Sequence, residues 1–257
     1  MSFARITPDW PHAPSSISSL STERAGGISR APYDDGHGGG GLNLGMHVGD
    51  IPADVLKNRL LVRSVLPGEP IWLSQVHGST VIDADALSDA DLQNVQEADA
   101  IVTSVPQRVC AIQTADCLPV LFCSADGKIV GAAHAGWRGL AAGVLENTIR
   151  QMRRKGAREI SAWLGPAIGP QKFEVGQDVY DAFKRIDIKT TAAFKALPDI
   201  PQKFLADIYQ LAGMTLEREG VSRISGGGFC TVTEEKRFYS YRRDGVTGRM
   251  ASLVWIK

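Results

Sequence analysis

The clearest pattern of apolar and polar positions lies near the middle of the chain, where short apolar runs rich in β-branched residues alternate with turn residues. Runs of this length, interrupted by Gly, Pro, Asn and Asp, predict buried strands. The predicted strands here are Ile101 to Thr103, Val109 to Thr114, Leu118 to Cys123 and Lys128 to Ala133. Asp126-Gly127 predicts a hairpin turn between the last two.

Helical periodicity marks four further segments. The first helix begins at Pro52, and its predicted apolar side carries Val55, Leu56, Leu60 and Leu66. Its predicted polar side carries Lys57, Asn58, Arg59 and Arg63, which a solvated face explains. The other predicted helices are Leu140 to Lys155, Asp178 to Ile186 and Lys203 to Glu219.

The remaining apolar runs complete the predicted fold. They are Ile71 to Val76, Thr80 to Ile82, Ser161 to Leu164, Phe238 to Tyr241 and Met250 to Ile256. Strands and helices alternate without the regular period of a barrel, which predicts an α+β (mixed α/β) fold, a layered sandwich with mixed sheets. No linker divides the chain, so we expect a single domain over residues 1–257.

Composition and charge narrow the class of protein. The chain has 257 residues, 44% of them hydrophobic, and 28 Lys and Arg balance 28 Asp and Glu. A neutral chain without a basic stripe predicts no nucleic-acid or membrane partner. We read no targeting or membrane-spanning segment and expect a cytoplasmic protein, in which the four cysteines stay reduced. Cys110 and Cys123, inside apolar runs, are predicted core residues.

Three residues with metal-binding chemistry stand where predicted strands end in turns of small residues. They are His77, Cys117 and His134. Their wide spacing suits ligands drawn from separate strands. Two His and one Cys form a three-ligand zinc set that leaves the fourth tetrahedral position open, as in hydrolytic zinc sites. A second interpretation keeps Cys117 and His134 as a thiolate and imidazole pair for acyl transfer without a metal.

Further side chains suggest binding of an anion or a planar ring. Arg138 follows His134 in a glycine-bounded turn at the start of a helix, where an oxyanion site and a plain tight turn are both open interpretations. Trp137 in the same turn is suited to stacking on a ring. Arg242 near a strand end and Arg59 on the first helix present guanidinium groups, for which surface ion pairing is the alternative.

Taken together, motifs along nearly the whole chain resemble the family labelled multicopper polyphenol oxidase or laccase-domain proteins, also described as purine nucleoside phosphorylases and peptidoglycan editing factors. These motifs are Ala31-Pro-Tyr-Asp34, Leu42-Asn-Leu-Gly45, Trp72 to Gly78, Ala98-Asp-Ala100, Thr114 to Phe122, Ala132 to Gly139, Leu164 to Gly169, Phe173-Glu-Val175, Ser240 to Asp244 and Thr247-Gly-Arg249. Asp35 to Gly41 departs from the pattern as a glycine-rich insertion that predicts a mobile surface loop, whereas Asn43 and His47 are intact.

The resemblance implies that His77, Cys117 and His134 bind zinc, with copper the less favoured metal. It implies phosphorolysis of adenosine, inosine, guanosine and methylthioadenosine and deamination of adenosine, with purine nucleosides and phosphate as partners. Cys117, His134 and Arg138 are then expected to act in catalysis, and Asn43, Arg59, Trp137 and Arg242 to bind substrate. The implied fold resembles that of cysteine deamidase toxins.

Three other functions are weighed against this one. A cysteine hydrolase would use Cys117 and His134 on an amide of a peptidoglycan precursor. A non-catalytic metal-binding protein would use the trio structurally, although structural zinc usually has four protein ligands. A copper laccase is disfavoured, because the chain has five His and the trio uses two of them, leaving too few for a multicopper cluster.

Overall fold

The computed structural model describes residues 3–92 and 94–257. The strands are β1 (Arg5–Ile6), β2 (Ile17–Thr22), β3 (Ala25–Ser29), β4 (Pro70–Ile71), β5 (Leu73–Ser74), β6 (Val81–Asp83), β7 (Gln96–Glu97), β8 (Ala100–Thr103), β9 (Val109–Thr114), β10 (Leu118–Ser124), β11 (Val130–Ala135), β12 (Ile160–Leu164), β13 (Glu174–Gly176), β14 (Phe194–Ala196), β15 (Lys203–Ala206), β16 (Arg223–Gly226) and β17 (Met250–Ile256). The α-helices are α1 (Pro52–Arg63), α2 (Asp89–Leu92), α3 (Trp137–Ala141), α4 (Val144–Arg154), α5 (Gln177–Ile186), α6 (Ile208–Arg218) and α7 (Tyr241–Asp244), with 3₁₀ turns at Ala84–Ala86 and Ile188–Ala193.

Two mixed sheets form the frame of the molecule. One has the strand order β16-β12-β10-β11-β8-β6, with parallel pairs at its two edges and antiparallel pairs inside. The other has the order β1-β2-β17-β9-β4, antiparallel except for β4 with β9. Smaller sheets pair β13-β15-β14 and β5-β7. The predicted mixed α/β architecture with mixed sheets is confirmed.

Alternation of side chains along each strand creates a layered core. On β9, Cys110 and Ile112 meet Leu121 and Val130 of the larger sheet, so the two sheets pack face to face. The opposite face of the larger sheet packs on α4 and α6. The opposite face of the smaller sheet packs against the chain around Leu42, Leu44 and Val62. Cys110 and Cys123 are fully buried, which confirms them as core residues.

Several predicted elements differ from the structure. Lys203–Ala206 is a strand, and the helix begins only at Ile208, because Asp207 caps it by accepting a hydrogen bond from the Gln210 N–H. The predicted strand at Phe238 to Tyr241 is instead an irregular buried segment up to Ser240, and Tyr241 is the exposed first residue of α7. The predicted helix from Leu140 to Lys155 is two helices, because Gly143 adopts a positive φ of 90° between them.

The predicted apolar side of α1 is wrong in part. Leu56 and Leu60 are 52% and 66% exposed, whereas Asn58, assigned to the solvated side, is fully buried. The Asn58 amide donates to the carbonyls of Gly41 and Asn43, since buried backbone oxygens need a donor. Gly41 is therefore part of the interior. Of the predicted surface loop, Gly36, Gly38 and Gly39 are exposed. In the described ranges, no helix combines the length and apolar character that a bilayer crossing requires.

Candidate functional site

The hairpin of β10 and β11 and the loop between β5 and β6 bring the three predicted ligands together. Cys117 directly precedes β10, and His134 lies near the end of β11. The antiparallel register pairs Pro119 with His134, so the thiol and the imidazole are neighbours across the hairpin. His77 reaches them from the loop between β5 and β6. The structure brings the three predicted ligands together, although only His134 lies within a strand.

The spacing of the ligand atoms suits a tetrahedral metal ion. One ligand atom from each of the three residues lies within 4.8 Å of the others. Cys117 Sγ is 3.7 Å from His77 Nε2, close to the sulfur to nitrogen separation of about 3.6 Å that tetrahedral zinc bonds would give. The His77 and His134 rings meet edge to face with their centroids 4.8 Å apart. The three residues can therefore hold one metal ion.

Asp99, whose role the sequence analysis did not assign, lies beneath this trio. Its buried carboxylate contacts His134 Nδ1 at 2.8 Å, which leaves Nε2 of that ring for a metal. It also accepts hydrogen bonds from the backbone N–H groups of Val76, His77 and Gly78, at 2.7 to 3.2 Å. Burial alone would raise the pKa of Asp99, but these donors outweigh it and lower the pKa.

Two residues at the site adopt backbone conformations that are unusual for side chains other than glycine. His77 has a φ of 61° and Asp116, next to Cys117, has a φ of 91°. The Asp99 carboxylate holds the first turn. Asp116 holds the second by accepting from the Thr231 hydroxyl and the Arg242 N–H, each at 2.6 Å. Such strain persists where surrounding contacts fix the backbone, as at binding sites.

The charges of Cys117 and His134 depend on each other. Burial alone would raise the pKa of Cys117, but interactions with His134 and His77 outweigh it and lower the pKa. Burial alone would lower the pKa of His134, but the Cys117 charge and the Asp99 hydrogen bond raise it. Cys123 behaves in the opposite way, since burial raises its pKa to about 11. Of the two cysteines, Cys117 is therefore the one that forms a thiolate more readily.

The trio opens into a cavity of about 500 Å³, a size that accommodates a nucleoside. Its wall combines aromatic, amide and cationic side chains. The lining residues are His47, Gln75, His77, Gln113, Thr114, Ala115, Asp116, Cys117, His134, Trp137, Arg138, Ile168, Phe173, Ile208, Tyr241, Arg242 and Arg249. The arginines of this wall can therefore contact a ligand that also reaches the trio.

Three further residues predicted for the site line the cavity, namely Trp137, Arg138 and Arg242. The exposed Arg138 guanidinium lies over the Trp137 ring, 4.6 Å from its centroid. The exposed Arg242 guanidinium lies 5.8 Å from the centroid of Phe173, and its Nη1 donates to the Glu174 carbonyl at 3.1 Å. Arg242 belongs to α7 and not to a strand end.

Asn43 and Arg59 are not among the residues that line the cavity. Asn43 is fully buried, and its Oδ1 accepts from the N–H groups of Gly45 and Arg249 at 2.9 Å. The Arg59 guanidinium stacks 4.2 Å from the centroid of Trp72, and burial lowers its pKa to about 10. The expected solvated position of Arg59 is therefore wrong, and neither side chain contacts the cavity.

The cavity wall also contains polar residues to which the sequence analysis gives no role, among them His47, Gln75, Gln113 and Arg249. The Gln75 side chain bonds to the backbone of Gln113. Its Nε2 donates to the Gln113 carbonyl and its Oε1 accepts from the Gln113 N–H, both at 2.8 Å. Gln75 and Arg249 stand inside the quoted motifs, which was the available signal. Their grouping in one wall depends on tertiary contacts.

The fold and site define a mixed α/β protein with a His, Cys and His group that could hold a metal ion beside a cavity of nucleoside size. Residues 18–257 match the family described as multi-copper polyphenol oxidoreductase laccase, and the chain belongs to this family. It is 49% identical over 254 residues to the purine nucleoside phosphorylase PA4543 of Pseudomonas aeruginosa, covering 99% of both chains. It is also 49% identical over 253 residues to the purine nucleoside phosphorylase YfiH of Escherichia coli, covering 98% of both.

Solved structures support the same relationship. The protein NMB0706 of Neisseria meningitidis has a TM-score of 0.88 and 47% identity, covering 98% of this chain and 99% of that one. YlmD of Geobacillus stearothermophilus has a TM-score of 0.84 and 29% identity, covering 95% and 93%. The family resemblance stated from the motifs is confirmed.

Proposed function

We propose that this protein is a zinc-dependent purine nucleoside phosphorylase acting on adenosine, inosine, guanosine and methylthioadenosine, and that it also deaminates adenosine. The observation that carries the proposal is the three-ligand group that faces a cavity with aromatic and cationic walls. The curated relatives named purine nucleoside phosphorylase support it. The metal-binding residues are His77, Cys117 and His134.

The described residues provide three ligands at this place, which leaves one position of a tetrahedral ion for a water or a substrate. When bound, zinc would supply Lewis acidity beside the reacting atoms. Asp99 fixes the His134 tautomer so that Nε2 serves as the ligand. Structural zinc sites use four protein ligands, so this count favours a catalytic site over a non-catalytic one.

In phosphorolysis, a phosphate oxygen forms a bond to ribose C1′ while the bond from C1′ to purine N9 breaks. The electron pair goes to the purine, which takes up a proton and leaves, and the sugar becomes ribose 1-phosphate. Trp137 offers an aromatic face for the purine. Arg138 and Arg242 place positive charge at the exposed edge of the cavity, where it attracts an anionic reactant toward the site.

Deamination of adenosine uses water in place of phosphate. The water oxygen forms a bond to C6, the bond from C6 to the amino nitrogen breaks, and that nitrogen leaves as ammonia with a proton from the water. The product is inosine. In this reaction Cys117 and His134 act as metal ligands, because a ring nitrogen that binds the ion cannot also carry a proton.

The zinc-loaded protein, incubated with inosine and phosphate, should release hypoxanthine and ribose 1-phosphate, which chromatography measures. Cys117→Ser should lower this activity by more than about 100-fold. Loss of a residue that only hydrogen-bonds to a metal ligand costs about 10- to 100-fold, and loss of the ligand itself should cost more. Cys230→Ser is the matched control, since Cys230 lies outside the trio and a serine hydroxyl can accept its bond from the Gly169 N–H. Absence of both products, or full activity in Cys117→Ser, contradicts the proposal.

A second candidate function rests on the contact of Cys117 with His134 and of His134 with Asp99. A cysteine hydrolase would attack an amide carbonyl of a peptidoglycan precursor with the Cys117 thiolate, release the amine with a proton from His134, and then hydrolyse the thioester with water. The implied resemblance to cysteine deamidase folds supports this candidate. Amide hydrolysis that survives complete chelation of metal would favour it over the zinc enzyme.

Copper laccase chemistry is not part of the proposal, despite the description of the family. A multicopper centre needs several His ligands for each metal. Of the five His in the chain, His77 and His134 belong to the trio and His47 lines the cavity separately. Within the described residues, no second group of metal-binding side chains accompanies the trio.

A further inference from the structure

Arg249 differs from the other two arginines of the cavity. Arg138 and Arg242 are exposed, whereas Arg249 is half-buried. Its Nη1 donates to the carbonyls of Thr247 and Gly248 at 3.1 and 3.0 Å. Within residues 3–92 and 94–257, its Nε and Nη2 have no hydrogen-bond acceptor and no carboxylate lies within 4.0 Å of its guanidinium. One edge of this guanidinium is therefore available to a ligand.

The environment of Arg249 favours an anion. A buried cation without a counterion is unfavourable, and burial lowers the pKa of Arg249. The negative charges that favour the charged form of Arg249 most are those of Cys117 and Asp116. The two oxygens of Asp116 already accept from Thr231 and Arg242, and a bound metal ion would take the charge of Cys117. A ligand with two adjacent oxyanions would satisfy the free edge.

The position of Arg249 is fixed by the motif Leu42 to Gly45. Its N–H donates to Asn43 Oδ1 at 2.9 Å, and its carbonyl accepts from the Leu44 N–H at 3.1 Å. A Cβ on Gly45 would lie 2.8 Å from Arg249 Cγ, so a glycine is required for this contact. Asn43 thus acts as a positioning residue for a cavity arginine.

His47 adds a second polar group to the same part of the wall. It lines the cavity, and burial together with the charges of Arg249 and Arg59 lowers its pKa. The two cations make this part of the wall electropositive. A neutral His47 ring still donates one hydrogen bond. We call Arg249 and His47 the anion corner.

We propose that the anion corner is the phosphate-binding subsite, with the Nε and Nη2 edge of Arg249 holding two phosphate oxygens. This inference deepens the proposed phosphorolysis and rests on it for the identity of the anion. Guanidinium edges bind phosphate in this bidentate way. Arg138 and Arg242, which the sequence suggested for this role, are engaged with the Trp137 ring and with the carbonyls of Lys172 and Glu174.

The test is direct titration of inorganic phosphate by calorimetry, with zinc-loaded and metal-free protein, without nucleoside. Arg249→Met should weaken phosphate binding by about 10- to 100-fold, the value for hydrogen bonds to charged groups. Arg185→Met is the matched control, because Arg185 is exposed on α5 and away from the cavity. In turnover assays Arg249→Met should raise the KM for phosphate much more than the KM for inosine.

The outcomes separate this inference from the function itself. Phosphate binding that depends on Arg249, without any release of hypoxanthine by the wild type, supports the subsite and contradicts the phosphorylase. Unchanged binding in Arg249→Met, or no phosphate binding by the wild type, overturns the subsite whatever the activity. If Arg249→Met fails to fold, Arg249→Lys and His47→Phe decide, since the first replaces the paired guanidinium donors by one ammonium group and the second removes the imidazole donor, and wild-type affinity in both overturns the inference.

Discussion

Two carboxylates at opposite ends of strand β8 use the same chemistry for different purposes. Asp99 directly precedes the strand, and Asp85 contacts Thr103 and Ser104 at its other end. Each accepts several hydrogen bonds, and each has a lowered pKa. For Asp85, burial alone would raise the pKa, but bonds from Lys155, Ser104 and Thr103 lower it to about 2.

The difference lies in the donors. Asp99 binds the ring of His134 and the backbone of His77, which are two of the three proposed metal ligands. Asp85 binds Lys155 at 2.7 Å in an ion-pair cluster with Asp83 and Arg108. The acceptor is the same at both ends, so the role of a carboxylate follows from what its donors do. Asp99 is expected to support metal binding, and Asp85 to support the fold.

The largest effect should come from Asp99→Asn. The amide of Asn cannot accept from all four donors, so His134 and the His77 turn lose their common support. Zinc affinity should fall by about 10- to 100-fold, as for other residues that orient metal ligands. Competition with a chromophoric chelator measures this affinity without an activity assay. Asp85→Asn is the matched control.

A merely structural role for Asp99 would give a different result. Asp99→Asn would then lower the thermal midpoint while zinc affinity stayed within about twofold of the wild type, and the distinction between the two carboxylates would be lost. Equal losses of zinc affinity in Asp99→Asn and Asp85→Asn would have the same meaning.

The intermediate effect belongs to Asp85→Asn. Removal of the charge leaves Lys155 with Asp83 alone and weakens the bonds to Thr103 and Ser104. The free energy of unfolding should fall by about 2 kcal/mol, in the range for hydrogen bonds to charged groups. Urea unfolding measures it, with Asp178→Asn on α5 as a control for charge removal alone. Zinc affinity in Asp85→Asn should match the wild type, and a tenfold loss would refute the assignment.

The site shows which functional residues can be predicted from the sequence and which cannot. The grouping of His77, Cys117 and His134 was predictable, because their residue types and strand-end positions indicate metal-binding chemistry. No local pattern assigns a role to Asp99, because its hydrogen-bond donors come from the His77 loop and from strand β11, which meet only in the folded chain. Arg249 was missed for the same reason, since its burial and missing partner are tertiary properties.

The fold was predictable to a similar extent. Buried strands such as β9 and β10 follow from apolar runs that local pattern detects. The orientation of α1 was not predictable, because Asn58 faces inward to serve backbone carbonyls of a distant loop while Leu56 faces solvent. The start of α6 was missed because pairing of β15 with β13 and β14 overrides the helical pattern before Asp207.

The smallest effect is the pH dependence at Asp85. Its folded pKa of about 2 lies below the ordinary value of 3.8, so it stabilises the fold above the ordinary value and loses this contribution as pH falls through the folded pKa. Solvent screening at a half-buried group reduces the full linkage value. The full linkage change between about pH 5 and pH 3 is about 1 kcal/mol, so after screening the difference in unfolding free energy between wild type and Asp85→Asn should narrow by about 0.5 kcal/mol. Urea titrations of metal-free protein at both values measure it, and a difference independent of pH would show that Asp85 acts through packing and not through its charge.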